Sequence, residues 1–328
     1  MTIETGDLNY VKLLPEVRKI INEVVRRNMA EGILFSAGTD TSVIVFEAMK
    51  YSEDLKGVTV EFEYGSPKDT QYVKKMVKFL NLEHEFLRFG NYGLVQACEK
   101  VVEILKTFND MEVRNSIPIY IGLVNMKKKK AKSVLTGDGL DELFGYPWQF
   151  HLSKTEFQQA LAKMWSIMQF SSTDLGKAVG VEVKQPYLDS IFVDYAKGIP
   201  VELKVKTENG IKYGKWLIRK AYENLIPEEV VWRSKAPCEQ GTGTDIFPAF
   251  FEDKIENEEF ESKRKAILDE DKVNISTKEQ LFYYELFRKK FGKPSESYND
   301  KNGKQCPNCK GYVNKNITCC KICGAFPI

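Results

Sequence analysis

Histidine is nearly absent. His84 and His151 are the only two in 328 residues, which leaves little for histidine-based metal catalysis, and both read as structural. No apolar run approaches the roughly 20 residues of a membrane span. The opening MTIETGDLNY has no basic stretch followed by an apolar one, so no secretory leader is expected. There is no surplus of charge either: 48 basic and 46 acidic side chains leave a formal net charge of +2, which points to no partner. Internal repeats are lacking. The hydrophobic share of 43% is ordinary for a globular protein, and the length suits one large domain or two smaller ones. These features set the expectation of a soluble cytoplasmic protein with no membrane partner.

Cysteine is scarce over most of the chain and crowded at its end. Cys98 and Cys238 stand alone, whereas Cys306, Cys309, Cys319, Cys320 and Cys323 fall within CPNCKGYVNKNITCCKIC. A secreted disulfide framework spreads its cysteines more evenly. Two CxxC pairs, 306–309 and 320–323, form the two knuckles of a tetrahedral zinc site. A short polar tail cannot fold without its metal, so zinc there is structural. A four-cysteine iron–sulfur cluster is the open alternative, and Cys319 is a spare ligand.

Hydrophobic period places a helix over 11–31, a buried strand at 32–35, a helix through Val43–Met49, a strand at 58–62 and a helix over 69–80. A helix over 116–132 runs into a strand and Gly-broken loop, SVLTGDGLDELFGY. This alternation argues for a parallel sheet covered by helices. Residues 150–292 read as mostly helical, and the polar GKPSESYNDKNGK (292–304) reads as a linker. The expected fold is therefore α/β, with a helical C-terminal half and a small zinc ribbon. Its boundaries are 1–292, 293–304 and 305–328.

The stretch LFSAGTDTS (34–42) lies between a strand and a helix start, with Phe35 at the strand edge and Thr41 at the helix N-terminus. Such a turn sits where α/β sheets bind ligands, and helix-start N–H groups favour an anion. Gly38 allows close backbone approach, and Ser36, Thr41 and Ser42 supply hydroxyls. Asp40 would repel a bare phosphate, but it fits if a divalent cation lies between them. An ordinary helix cap uses the same residue types. The stretch is not a P-loop, since no lysine follows its glycine.

The loop resembles the SGGxDS pyrophosphate loop of the PP-loop ATP pyrophosphatases. TGDGLDELFGY (136–146), VEVKQPYLD (181–189), KWLIRKAYENLIPEEVVWRSK (215–235) and TKEQLFYYELFRKKF (277–291) resemble, in family order, segments of the asparagine synthetases. The chain is thus similar to the synthetase domain of that family, over about residues 15–292. The resemblance implies an ATP-dependent ligase that adenylates a carboxylate, typically the aspartate side chain, releases pyrophosphate and transfers an amine. It puts pyrophosphate on Ser36, Gly38, Asp40, Thr41 and Ser42, with the adenylate beside Thr136 and Gly137. Adenine lies against the backbone of Val60 and Glu61, near Phe35. Magnesium falls to Asp40 and Asp141, which suits the need to neutralise a leaving pyrophosphate. Lys235 matches the lysine of W-R-x-K and would stabilise charge at the α-phosphate, although a surface lysine is the bland reading. Asp138 is placed as a base toward the amine, and Glu182 as the partner of an acid–base group or of a substrate amine.

Departures from the family pattern are Ala37 for glycine, Asp138 for glutamate, Leu140 for serine and Lys184 for arginine. Glutamine-dependent members begin Met-Cys, whereas Thr2 follows Met1 here. The expectation is that nitrogen comes as free ammonia, from a separate glutaminase subunit or from another amine. The lysines of the tail, Lys301, Lys304, Lys310, Lys315 and Lys321, favour a solvated surface, yet they also suit RNA. That supports a rival reading in which an RNA group is adenylated. A second rival is a homologue that binds nucleotide as a regulator, against which the intact Asp40, Asp141 and Lys235 set argues.

Overall fold

The computed structural model describes residues 10–328. Five strands form one sheet in the order β3-β2-β1-β4-β5. They are β1 (Gly32–Leu34), β2 (Lys56–Phe62), β3 (Glu83–Phe89), β4 (Ser133–Leu135) and β5 (Glu182–Lys184). β1 pairs parallel with both β2 and β4, and β4 pairs parallel with β5. The strand order reverses between β1 and β4, so the crevice beyond their C-terminal ends is the ligand position of an open α/β sheet. The α/β class with a parallel sheet is the one expected from the sequence.

Contacts divide the chain into two units. One combines residues 10–59 with Lys68–Phe86 and Asn125–Pro237. Its core lies around β1. Helix α1 (Tyr10–Arg27) contributes Val17, Ile21, Val24 and Val25, and helix α2 (Thr39–Ala48) contributes Val43, Ile44 and Val45. Gly32 on β1 lets the Met126 side chain pack against the strand, since a Cβ there would lie 2.8 Å from Met126 Sδ. His84 is structural in this unit: its Nε2 lies 2.8 Å from Thr59 Oγ1, and its ring stands edge-on to Phe86.

The other unit combines Val60–Pro67, Leu87–Val124 and Cys238–Ile328. Arg114 and Glu279 form a buried ion pair at 2.6 Å, and Tyr283 donates to the same carboxylate. The cysteine-rich tail belongs here. A two-stranded ribbon, Lys304–Gln305 with Tyr312–Val313, is fastened to the unit. Thr107 Oγ1 donates to Lys321 O (2.8 Å), Phe108 N to Ile322 O (2.9 Å) and Gln280 Nε2 to Cys323 O (2.8 Å). Lys304 is turned inward, donating to the carbonyls of Ile317 and Ile328.

The structure departs from the periodicity reading at several points. β3 has no apolar run; its Glu-His-Glu-Phe-Leu-Arg-Phe carries charge because it is an edge strand. Within the stretch read as helical lies an antiparallel hairpin, Val205–Glu208 with Ile211–Gly214. It turns at Asn209–Gly210, with φ of 50° and 80°, the pair of left-handed residues that a tight hairpin turn requires. A short helix, Pro294–Ser297, occupies part of the segment read as a linker. The helix after β1 starts at Thr39, not Thr41, so Asp40 lies in its first turn. Among the described residues, no helix is long and apolar enough to cross a membrane.

Candidate active site

Because β1 and β4 run side by side, the chain leaves the sheet at two adjacent points, Phe35 and Thr136. Phe35 is buried and continues the pairing, its N–H donating to Val58 O at 2.8 Å. The loop then closes on itself, with Ser36 Oγ 3.1 Å from Thr41 Oγ1 and accepting from Gly38 N at 3.3 Å. The left-handed residue of this loop is Ala37, at φ 50°; Gly38 is extended at φ −66°. The backbone conformation that favours glycine thus falls on Ala37, the position where alanine departs from the family pattern. Alanine sits there because Arg233 holds the loop: it donates to Ala37 O (3.1 Å) and Ser36 O (3.3 Å) and pairs with Asp69 at 2.6 Å.

Gly137 brings the second loop against the first. A Cβ at that position would stand 3.0 Å from both Asp40 Cβ and Thr41 Cγ2, closer than ordinary contact allows. Beyond it Gly139, at φ 99°, starts the short helix Leu140–Phe144, which carries Asp141.

The two acidic loops converge on one cation. Lys215 Nζ lies 2.6 Å from Asp40 Oδ1 and 2.7 Å from Asp141 Oδ1, and Lys235 Nζ lies 2.7 Å from Asp141 Oδ2. Burial alone would push Asp141 up, but Lys215 and Lys235 outweigh it and hold the carboxyl well below the usual range. Its folded pKa lies beneath the unfolded one, so its stabilisation is complete above about pH 4 and fades as pH falls below that. Tyr187 donates to Asp40 O at 2.9 Å. Arg219, buried beneath, donates to Gly214 O (2.9 Å) and Arg233 O (3.0 Å), and burial pushes its guanidinium down to about 10. A cavity of about 200 Å³ opens beside these groups, lined by Asp141, Lys215, Lys235, Arg219, Phe150 and Tyr213 among others.

The donor set fits a divalent cation with a phosphate. Two carboxylates already share one positive charge, supplied here by the lysine ammonium. The Ser42 and Thr39 hydroxyls are buried without a hydrogen-bond partner among the described residues, and buried polar groups ordinarily have one. In the other unit the thiol sulfurs of Cys306, Cys309, Cys320 and Cys323 all lie within 4.8 Å of one another, a donor set that fits a tetrahedral metal. Cys319 is exposed and outside that group.

The structure thus gathers Ser36, Gly38, Asp40, Thr41, Gly137, Asp141 and Lys235. Asp138 sits beside them, accepting from Thr136 Oγ1 at 2.7 Å. Glu182 is solvent-exposed and pairs with Lys184 at 2.7 Å. Val60 and Glu61 lie on β2 in the other unit, both buried, with Glu61 paired to Arg88 at 3.2 Å. Sequence reasoning missed Lys215, Arg233 and Tyr187. The faint signal for Lys215 was its place just after a glycine-ended hairpin and before an apolar helix start.

Behind the Asp141 helix lies Lys204, 1% exposed and without a carboxylate partner among the described residues. Its Nζ donates to Leu143 O at 2.8 Å and Ala196 O at 2.5 Å. Burial pushes its ammonium down to about 7. Between that value and the unfolded value near 10.5 only the unfolded chain binds the proton, so stability rises with pH across this window, by up to about 1.4 kcal/mol per pH unit. Urea titrations at pH 7.5 and 9.5 are expected to show this rise in the wild type and a flatter response in Lys204→Met. Equal slopes would contradict the assignment.

The sequence profile of the asparagine synthase family matches residues 16–174 and 168–308. The glutamine-hydrolyzing asparagine synthetase 1 of Arabidopsis thaliana is 27% identical over 300 residues, 84% of this chain and 50% of its own length. The glutamine-hydrolyzing asparagine synthetase B of Escherichia coli K12 is 26% identical over 306 residues, 85% of this chain and 54% of its own. The chain spans about half the length of the curated relatives it matches. Among solved structures, an NMN synthetase from Francisella tularensis covers 85% of this chain and 93% of its own at 12% identity and a TM-score of 0.38.

Proposed function

The chain belongs to the asparagine synthase family, and we propose that it is an ATP- and magnesium-dependent ligase that adenylates a carboxylate, the aspartate side chain first among candidates, and passes the acyl group to ammonia or another amine. The observation that carries this reading is the meeting of Asp40 and Asp141, from loops a hundred residues apart in sequence, on a single cation with Lys235 alongside.

In the proposed reaction a carboxylate oxygen attacks the α-phosphorus of ATP. The bond from that phosphorus to the bridging oxygen breaks, and pyrophosphate leaves with the electron pair. The loop N–H groups and the hydroxyls of Ser36, Thr41 and Ser42 hold the pyrophosphate. Magnesium, when bound, neutralises the leaving group, and Asp40 and Asp141 would hold it. Lys235 stabilises charge on the α-phosphate. The nitrogen donor gives one proton to Asp138, its lone pair forms the C–N bond, and AMP leaves with the acyl C–O electron pair and the proton that the new amide sheds. Ammonia is free or is delivered by a glutaminase partner. Zinc on the four tail cysteines is structural.

Aspartate-dependent exchange of labelled pyrophosphate into ATP tests this reading. Exchange stimulated by aspartate and requiring magnesium is expected; ATP binding with no exchange for any carboxylate would overturn it. One observation favours a second reading, adenylation of an RNA group. A cleft of about 470 Å³ on the ribbon is lined by Tyr312, Asn314, Lys315, Asn316 and Lys321 among others, a mix of stacking, amide and cationic groups that suits single-stranded nucleic acid. Exchange stimulated by RNA and not by aspartate would select it.

A further inference from the structure

Asp138 is bound in an unusual way. One of its oxygens, Oδ2, accepts from Ser172 Oγ at 2.5 Å, Thr136 Oγ1 at 2.7 Å and Gln185 Nε2 at 2.9 Å. The three donors come from separate places: the residue after β4, the start of the helix Ser171–Val179, and the residue after β5. They are also tied to each other. Gln185 Nε2 lies 3.2 Å from Ser172 Oγ, and Thr173 Oγ1 donates to Gln185 Oε1 at 3.4 Å, which fixes which end of the amide faces the carboxylate. Ser172 is 1% exposed, so its hydroxyl is held by the fold and not by solvent.

A carboxylate has about four acceptor positions on its two oxygens, and three donors saturate Oδ2. Oδ1 accepts no hydrogen bond among the described residues. All three donors are neutral, and among the described residues no lysine or arginine forms a salt bridge with Asp138, although Lys215 and Lys235 stand in the same site on Asp40 and Asp141. An anion with one oxygen clamped, the other open and no protein counter-ion is prepared for a cationic ligand. Gly137 sets this carboxylate directly beside the loop that carries Asp40 and Thr41.

We propose that Ser172 and Gln185 are positioning residues that fix the rotation of the Asp138 carboxylate, leaving Oδ1 to bind the nitrogen donor as ammonium or a protonated primary amine; Oδ1 takes one proton, which frees the attacking lone pair, and the second proton, shed as the C–N bond forms, leaves with the AMP phosphate. The inference rests on the proposed ligase reaction and names the groups that orient its base. It also accounts for the shorter side chain. Aspartate has one fewer rotatable bond than glutamate, and three donors lock what remains.

The test separates the two halves of the reaction in the full chain. Ser172→Ala, Gln185→Ala and the conservative Ser172→Thr are assayed for aspartate-dependent pyrophosphate exchange without an amine, then for amide formation with ammonium chloride. Both alanine variants are expected to exchange pyrophosphate within about threefold of wild type. Their KM for ammonium should rise about 10- to 100-fold, the usual cost of losing a group that orients a functional one, with kcat changing less. Ser172→Thr, which keeps the hydroxyl, should restore most of the loss. If exchange and amide formation fall together, or neither changes, the inference is overturned. The same holds if wild type exchanges pyrophosphate but ammonium supports no amide. Lack of exchange in the wild type with any acceptor overturns the ligase reading itself, a separate outcome.

Discussion

Asp40→Asn is expected to reduce pyrophosphate exchange by about a thousandfold or more while leaving the fold intact. Asparagine keeps the shape of the side chain and removes only its charge. In the resting site that charge is shared with Asp141 through Lys215, whose Nζ lies 2.6 Å from one carboxylate and 2.7 Å from the other. In the proposed reaction magnesium would be held beside the departing pyrophosphate by anionic oxygens from both loops. Losing one carboxylate removes several kcal/mol of transition-state stabilisation, and about 1.4 kcal/mol is tenfold in rate. Stability should change little, since Lys215 keeps Asp141 and remains a paired buried cation. Melting curves check the fold and the exchange assay reads the loss. Retention of more than a tenth of wild-type exchange would place the metal elsewhere.

Removal of the ribbon's metal, by chelation or by Cys309→Ser, is expected to do more than loosen the last two dozen residues. Metal binding to zinc-finger peptides is worth about 10–16 kcal/mol at pH 7, and in a segment this short that free energy is the folding free energy. The folded ribbon in turn satisfies groups of its unit. Gln280 Nε2 and Thr107 Oγ1 donate to ribbon carbonyls, Phe108 N donates to Ile322 O, and Asn274 N donates to Asn308 O. Thr107 and Gln280 are buried, and a buried donor stripped of its acceptor costs about 1–3 kcal/mol. The melting temperature should therefore fall by roughly 10 °C, a few kcal/mol at about 2–4 °C each. Metal analysis should find the proposed one zinc per chain in the wild type and none in the variant. Loss of metal with an unchanged melt would show the ribbon to be an independent appendage.

The sheet and its ligand edge were legible because their signals are local. GILF followed by a hydroxyl-rich turn, and SVLT followed by GDG, each carry strand, turn and helix start within a dozen residues. The paired CxxC spacing needs no more than its own segment. β3 and the hairpin at Asn209–Gly210 were less visible. A polar edge strand lacks the apolar run by which strands are read. The hairpin is amphipathic and sits among helices, although its Asn-Gly pair is a true turn signal.

By itself the sequence determined which residues form the two acidic loops, that they follow strands of a parallel sheet, and which four thiols gather in the tail; that the two strands are neighbours came from the sheet order. Only the tertiary structure decided what those loops hold onto. Lys215 and Asp40 are 175 residues apart, Arg233 reaches Ala37 across 196, and Ser172 reaches Asp138 across 34. Along the chain each of these partners is one lysine, arginine or serine among many, without period or motif. A side chain becomes a counter-ion or a clamp through burial and direction, and both are set by packing between segments distant in sequence.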